Sequence, residues 1–286
     1  MMEYKEFLGL GIAGNFALHL AQAGELEDFK DVITEDEAAP KGMFPFYLPC
    51  EKSSCEALVY KPKETLFTYP LSSDTITLPK EDVNVQAEPE VGLVCELSYN
   101  GEEIASITPT HFGAYNDCSI RVAGASKISD KKNWGINSKG VSKKLFKIDK
   151  FSDGGIMDNF SIASFLRRDN TVTPYGEDVE LSGYSYFYEK LTEWIKNQIN
   201  TQKEFGPLEP ILEYINACGK PEKVLISIGA TRYTHYGETT FLQENDEVIV
   251  VVYNKNKISA SKMFKAVKES TYDSTIMSVL SQKVTK

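Results

Sequence analysis

The stretch NVQAEPEVGLVCEL, residues 84–97, narrows the folds open to this chain more than any other. Val91, Leu93, Val94, Cys95 and Leu97 make an apolar run of strand length, and Asn100-Gly101 follows it before Glu103-Ile104-Ala105. Asn-Gly after such a run signals a tight hairpin. Two carboxylates, Glu88 and Glu90, stand at the entrance to the first strand. In extended backbone, residues i and i+2 point the same way, so the pair is aimed at one spot. Unpaired, the two charges repel. A positive group is therefore expected there: a metal ion, an arginine or a lysine.

The remaining segments are mostly short and strand-like. Residues 8–13 read as a buried strand, then a glycine turn and one or two helical turns over 16–23. The MFPFYL segment, 43–48, carries a proline suited to an edge strand or an extended crossing. Residues 111–121 and 160–166 read as strands, with the partner of the latter expected within 144–148. Phe187, Leu191, Trp194, Ile195 and Ile199 recur at helical spacing. Leu208, Ile211, Leu212 and Ile215 repeat the pattern, with Pro207 as start and Gly219 as stop. The end of the chain reads as strand, over 224–228 and 247–253. The expectation is one α+β domain over residues 1–286, mostly β, with a few peripheral helices.

Composition excludes some functions. The chain is 42% hydrophobic and 25% charged, an ordinary globular balance. Its net charge of −10, from 31 basic and 41 acidic residues, argues against non-specific nucleic-acid binding. The locally basic stretch 127–150 reads as a solvated face. Residues 7–24 are apolar but broken by Gly9, Gly11 and Gly14, and they carry Asn15 and His19. Such a stretch, with no basic n-region, is not read as a membrane span or leader. The five cysteines, at 50, 55, 95, 118 and 218, lack metal-finger spacing and read as reduced thiols of a cytoplasmic protein.

Further polar segments follow in order. Asn15-Phe16-Ala17-Leu18-His19 lies near the start, Asp117 lies in YNDCSIR, Lys139 in NSKG and Thr231 in IGATR. With EPEVGLV, these pieces resemble the fumarylacetoacetate hydrolase family, which has an asparagine-aromatic-x-x-histidine segment, an E-x-E pair opening a strand, an N-D-x-S-x-R segment, a glycine-flanked lysine and a G-T segment. The matching stretches span residues 9–253, nearly the whole chain. No one piece is specific; their order carries the resemblance.

The resemblance implies a mixed β-sandwich roll, a homodimer, and a divalent metal held by acidic side chains that binds a 2-oxo acid or β-dicarbonyl substrate. Carried onto this sequence, Glu88, Glu90 and Asp117 would ligate Mg²⁺ or Mn²⁺, hard cations that prefer oxygen. Lys139 would add positive charge where an oxyanion develops. His19 would transfer a proton near neutral pH. Thr231 and Arg121 would bind substrate oxygens. The implied function is hydrolysis, decarboxylation or isomerisation of small 2-oxo or β-dicarbonyl acids. The alternative is a binding protein that keeps the pocket without turnover.

Each residue also has a plainer reading. Glu88 and Glu90 could be a solvated strand end, Asp117 a turn former, Lys139 a loop residue and Thr231 a strand-end hydroxyl. His19 could be a satisfied core histidine, and Arg121 could pair with a carboxylate. His111 reads as structural and His235 as a loop residue. The chain departs from the family pattern at Gln22, where an acid often follows the histidine by three residues. Glu25 is six positions on and off the same helical face. Val122-Ala123-Gly124 replaces the usual acid and glutamine after the arginine, and Ala230-Thr231-Arg232 stands for G-T-P. The stretch 169–202 is longer than usual, and its tryptophan-bearing helix is expected to close over the site or to sit at a dimer contact.

Overall fold

The computed structural model describes residues 4–17, 19–34, 36–122 and 124–286; Leu18 and Ala123, which fall in two of the segments above, lie outside the described residues. The apolar run at 91–97 is one arm of a long hairpin. Strand Pro89–Asn100 pairs antiparallel with Glu103–Asn116. Gly101 makes the connection at φ +62°, a left-handed conformation that glycine adopts without cost.

This hairpin sits inside the larger sheet. Its spatial order is Gly42–Tyr47, Leu8–Ala13, Lys223–Ser227, Pro89–Asn100, Glu103–Asn116, Lys139–Val141 and Leu71–Ser72, and Phe146–Lys147 also pairs with Glu103–Asn116. Val91, Leu93, Cys95 and Leu97 face the main core, while Val94 faces a second apolar cluster with Tyr115 and Leu225. Both faces of the central strands are covered. That explains why the run is continuously apolar rather than alternating.

A second sheet runs in the order Thr171–Glu180, Phe160–Arg168, Glu247–Asn254, Met277–Thr285 and Thr75–Thr77. Ile162, Leu166, Val248, Val250, Val252 and Leu280 join the main core, and Ala163, Phe165, Ile249, Val251 and Tyr253 line the opposite face. Helix Ala260–Glu269 covers that face with Met263 and Val267. Burying each such side chain stabilises the fold by roughly 1.5–3 kcal/mol. The protein is mostly β, with a curled sheet and few helices, as expected.

Four expectations are corrected. Phe160–Arg168 pairs with Thr171–Glu180 and Glu247–Asn254, not with 144–148. The C-terminal part is not all strand, because helix Ala260–Glu269 lies between Glu247–Asn254 and Met277–Thr285. Its lysine-rich sequence hides an apolar face one turn wide. The 169–202 stretch divides into a strand and helix Tyr188–Thr201, which packs Tyr188, Leu191, Ile195 and Ile199 inward, against strands Glu103–Asn116 and Gly42–Tyr47. Trp194 is only half-buried and meets the Tyr186 ring edge-on at 6.4 Å. Finally, Cys50 and Cys218 form a disulfide, 168 residues apart in sequence, whereas Cys55, Cys95 and Cys118 are free and buried.

Beyond the helix, Gln202 reaches the edge strand. Its Oε1 accepts the Met43 N–H at 2.9 Å, and its Nε2 donates to the Met43 carbonyl at 2.9 Å and the Glu209 carbonyl at 2.8 Å.

Candidate functional site

The start of the 89–100 strand meets the end of the 103–116 strand, where Pro89 pairs with Asn116. This register brings Asp117 beside Glu88. The Asp117 N–H donates to the Glu88 carbonyl at 2.9 Å, and the Asn116 Oδ1 accepts the Glu88 N–H at 3.1 Å. Ladder pairing resumes outside, between Asn84–Gln86 and Ser119–Arg121. Strand Lys139–Val141 pairs through Gly140 with Asn116, which sets Lys139 next to Asp117. On the other side, the chain leaving strand Lys223–Ser227 turns at Gly229, whose φ is +108°. A Cβ there would lie 3.0 Å from the Asn15 Cβ. The Gly229 N–H donates to Glu90 Oε2 at 2.8 Å.

Three carboxylates therefore converge. Glu88, Glu90 and Asp117 are all buried, and one ligand atom from each lies within 4.8 Å of the others. Lysine ammonium groups stand among them. Lys132 Nζ is 2.5 Å from Glu88 Oε2 and 2.6 Å from Asp117 Oδ2. Lys139 Nζ is 3.1 Å from Asp117 Oδ1 and donates to the Cys118 carbonyl at 2.6 Å. Arg121 donates to Gln86 Oε1 at 2.6 Å, Glu25 Oε1 at 2.9 Å and the Tyr233 hydroxyl at 3.0 Å, and it pairs with Glu88 Oε1 at 2.8 Å. Lys131 Nζ meets the same Glu25 oxygen at 2.8 Å. Among the described residues, four carboxylates and four cations thus form one buried network.

Burial and charge pull these groups apart in titration. Burial raises Glu88, but Lys132 and Arg121 outweigh it and hold the carboxyl well below the usual range. Glu90 is pushed well above that range by burial and by the charge of Asp117. Burial lowers Lys139. Lys132 is raised, because Asp117 and Glu88 overcome its desolvation. His19 is lowered to about 4, chiefly by burial, so its ring is neutral at pH 7. Its Nδ1 has no hydrogen-bond partner among the described residues, and its ring lies 5.1 Å from that of Tyr233.

A neutral buried histidine makes stability depend on pH in a defined sense. The unfolded chain takes up the His19 proton near pH 6.5 while the folded chain resists until about 4. The contribution is complete above pH 6.5 and is lost as pH falls through that window. Urea unfolding should therefore lose about 3 kcal/mol more between pH 6.5 and 4 in the wild type than in His19→Gln. Parallel pH curves for the two proteins would contradict the assignment.

The sequence-derived residues are placed as follows. Glu88, Glu90, Asp117 and Lys139 come together, and His19 is close enough to feel the charges of Glu88, Arg121, Glu25 and Lys132. Thr231 is buried with its N–H on the Pro89 carbonyl at 3.1 Å and its hydroxyl 3.4 Å from the same oxygen. The Arg121 fork, expected to face a substrate, is engaged by protein acceptors. Gln22 clamps the Tyr233 backbone, accepting its N–H at 2.9 Å and donating to its carbonyl at 3.1 Å. Asn15 joins Tyr186 and Ile228 through their backbones.

Lys131 and Lys132 were not foreseen, and Glu25 takes a part that its spacing from His19 argued against. Helix His19–Gln22 ends before Glu25, and the Gly24 turn (φ +71°) returns the chain and buries the Glu25 carboxylate on Arg121 and Lys131. Lys131 and Lys132 correct the reading of 127–150 as a solvated face. The short helix Ile128–Lys131 turns them inward, and both are at most 4% exposed. Their one sequence signal was adjacency to Asn133 and Trp134 in a stretch that also holds Lys139. A cleft of about 340 Å³ reaches the network at Glu25, Arg121 and Lys131, with Ala23, Gly24 and Val122 among its walls.

Solved structures share this architecture over the whole chain. Cg1458 bound to an inhibitor aligns at a TM-score of 0.56, with 13% identity, covering 98% of this chain and 77% of that one. A Mycobacterium smegmatis protein assigned as HpcE aligns at 0.52, with 12% identity, covering 97% and 74%. The fold is fumarylacetoacetate hydrolase-like, as the ordered segments anticipate. A Yersinia pestis protein assigned to the fumarylacetoacetate hydrolase family aligns at 0.47, with 10% identity, covering 97% and 92%. By sequence, the chain belongs to the family described as "Family of unknown function (DUF5718)", whose model matches residues 25–284. No curated protein matches it in sequence.

Proposed function

We propose that this chain is an enzyme for small carboxylic acids bearing a 2-oxo or β-dicarbonyl group, with Glu88, Glu90 and Asp117 holding a divalent cation. The carrying observation is the convergence of these buried carboxylates on one cation position, with Lys139 and His19 close by. The donor set suits Mg²⁺ or Mn²⁺, since all three ligands are hard oxygens. Bound there, the ion would polarise a substrate carbonyl as a Lewis acid.

The protein groups divide the remaining work. The cleft at Glu25, Arg121 and Lys131 gives a small acid a route to the network. Lys139 holds positive charge beside Asp117, where negative charge grows on a substrate oxygen. Neutral His19 accepts a proton from water or from a carbon acid. These roles serve hydrolysis, decarboxylation and isomerisation alike. Turnover of a panel of acylpyruvates, oxaloacetate and a hydroxymuconate-type acid, with Mn²⁺ or with chelator, separates them. No turnover of any compound with Mn²⁺ present would end the enzyme reading. The pairing into homodimers implied by the resemblance is proposed alongside and is read by light scattering.

Lys132 shares the cation position, because its ammonium lies between Glu88 and Asp117. An incoming divalent ion must displace it. Lys132→Met should therefore bind Mn²⁺ at least about tenfold more tightly than wild type by calorimetry. Equal affinities would mean that the ammonium does not obstruct the ion, and no binding by either protein would end the metal reading.

One observation favours the second reading, a binding protein without turnover: Arg121 already meets four protein acceptors. Metal-dependent binding of oxalate with no turnover of the panel would establish it.

A further inference from the structure

Away from the carboxylate network, three sulfur atoms meet. Cys50, Cys55 and Cys218 each place Sγ within 4.8 Å of the other two. Cys50 lies just before the short helix Lys52–Cys55, Cys55 ends it, and Cys218 caps helix Ile211–Ala217. Cys55 is 2% exposed, whereas Cys50 and Cys218 are half-buried and open the cluster to solvent. The disulfide uses two of the three sulfurs and leaves Cys55 beside it. A disulfide alone requires no third thiol beside it.

We propose that the reduced cluster is a three-thiolate site for a thiophilic closed-shell cation, Zn²⁺ or Cu⁺, that alternates with the Cys50–Cys218 disulfide. Thiolates are soft ligands that select such ions. Three of them around one Zn²⁺ at about 2.3 Å stand about 3.8 Å apart, within the spread observed here. The fourth position faces the solvent side and admits water or an external ligand.

The chemistry balances in both directions. A small dithiol breaks the Cys50–Cys218 bond by giving it two electrons and two protons, and becomes a disulfide itself. The ion then replaces the three thiol protons, which pass to solvent. Oxidation by hydrogen peroxide reverses this: two thiolates give it two electrons and the S–S bond re-forms, solvent supplies the two protons that turn the peroxide into two waters and a third that returns to Cys55, and the ion leaves.

The test uses the full chain, reduced with a phosphine and titrated with Co²⁺. A thiolate-to-cobalt charge-transfer band in the near ultraviolet should saturate at one ion per chain and be displaced by Zn²⁺. The carboxylate network cannot give that band, so the readout belongs to the sulfur cluster alone. Cys55→Ser keeps the disulfide pair and should fold as the wild type does, yet lose about 100-fold or more in affinity. Cys95→Ala, in the sheet interior, should leave the band unchanged. Added hydrogen peroxide should release the ion as the disulfide returns. Absence of the band in the reduced wild type, or an undiminished band in Cys55→Ser, overturns the proposal and leaves a structural disulfide only.

Discussion

Asp117→Asn is expected to destabilise the folded chain by about 3–5 kcal/mol, the cost of stranding buried charge. Asp117 is fully buried, with the Lys132 and Lys139 ammonium groups at 2.6 and 3.1 Å. The amide keeps the shape and removes the charge. Among the described residues Lys139 has no other acidic partner within ion-pair distance, and it keeps the Cys118 carbonyl and the Trp134 ring face. In a domain of this size each kcal/mol moves the melting temperature by roughly 2–4 °C, so a fall on the order of 10 °C is expected in calorimetry. The double variant Asp117→Asn, Lys139→Met should recover part of the loss, since the two sites share one interaction. A single variant as stable as the wild type would mean that the network does not need this charge.

His19→Ala is expected to lower kcat about 10²–10⁴-fold for a hydrolytic substrate, the range for loss of a general acid–base group. Burial keeps the ring unprotonated but only weakly basic down to about pH 4, so the loss is expected toward the low end of that range. Oxalate affinity should barely change, because the carboxylates and lysines remain. Decarboxylation asks less of the histidine and more of Lys139. A small effect of His19→Ala beside a severe effect of Lys139→Ala would therefore identify that reaction instead. A drop in oxalate affinity matching the drop in kcat would mean that His19 shapes the pocket rather than moves protons.

The parts of the fold fixed by local pattern were legible. The 91–97 run, the Asn-Gly turn and the 3.6-residue repeat through Leu191, Ile195 and Ile199 each reflect a short-range rule. The pairing of Phe160–Arg168 was not legible, because partner choice depends on sheet order and not on either strand's sequence. Helix Ala260–Glu269 was hidden because its apolar face is narrow and lysines surround it. Within the site, Glu88, Glu90 and Asp117 stood out because spacing and order mark them. Lys132 did not. A lysine announces burial only through its partners, and those lie 44 and 15 positions away. The positive group anticipated between the acids was thus foreseen in kind while its source was not. Cys50 and Cys218 escaped for the same reason, with 168 residues between them.

The outermost strand of the larger sheet, Gly42–Tyr47, bears on how copies of this chain can meet. An exposed strand edge ordinarily invites a second molecule to extend the sheet, the route to uncontrolled aggregation. Here Pro45 has no N–H to offer. Both backbone groups of Met43 are held by the Gln202 side-chain amide, which imitates the peptide of a neighbouring strand. Just past the strand, the Leu48 N–H is held by the Leu66 carbonyl at 2.8 Å. One glutamine and one proline thus close this border to templated growth. Gln202→Leu would reopen it, turning a finished margin into an adhesive one.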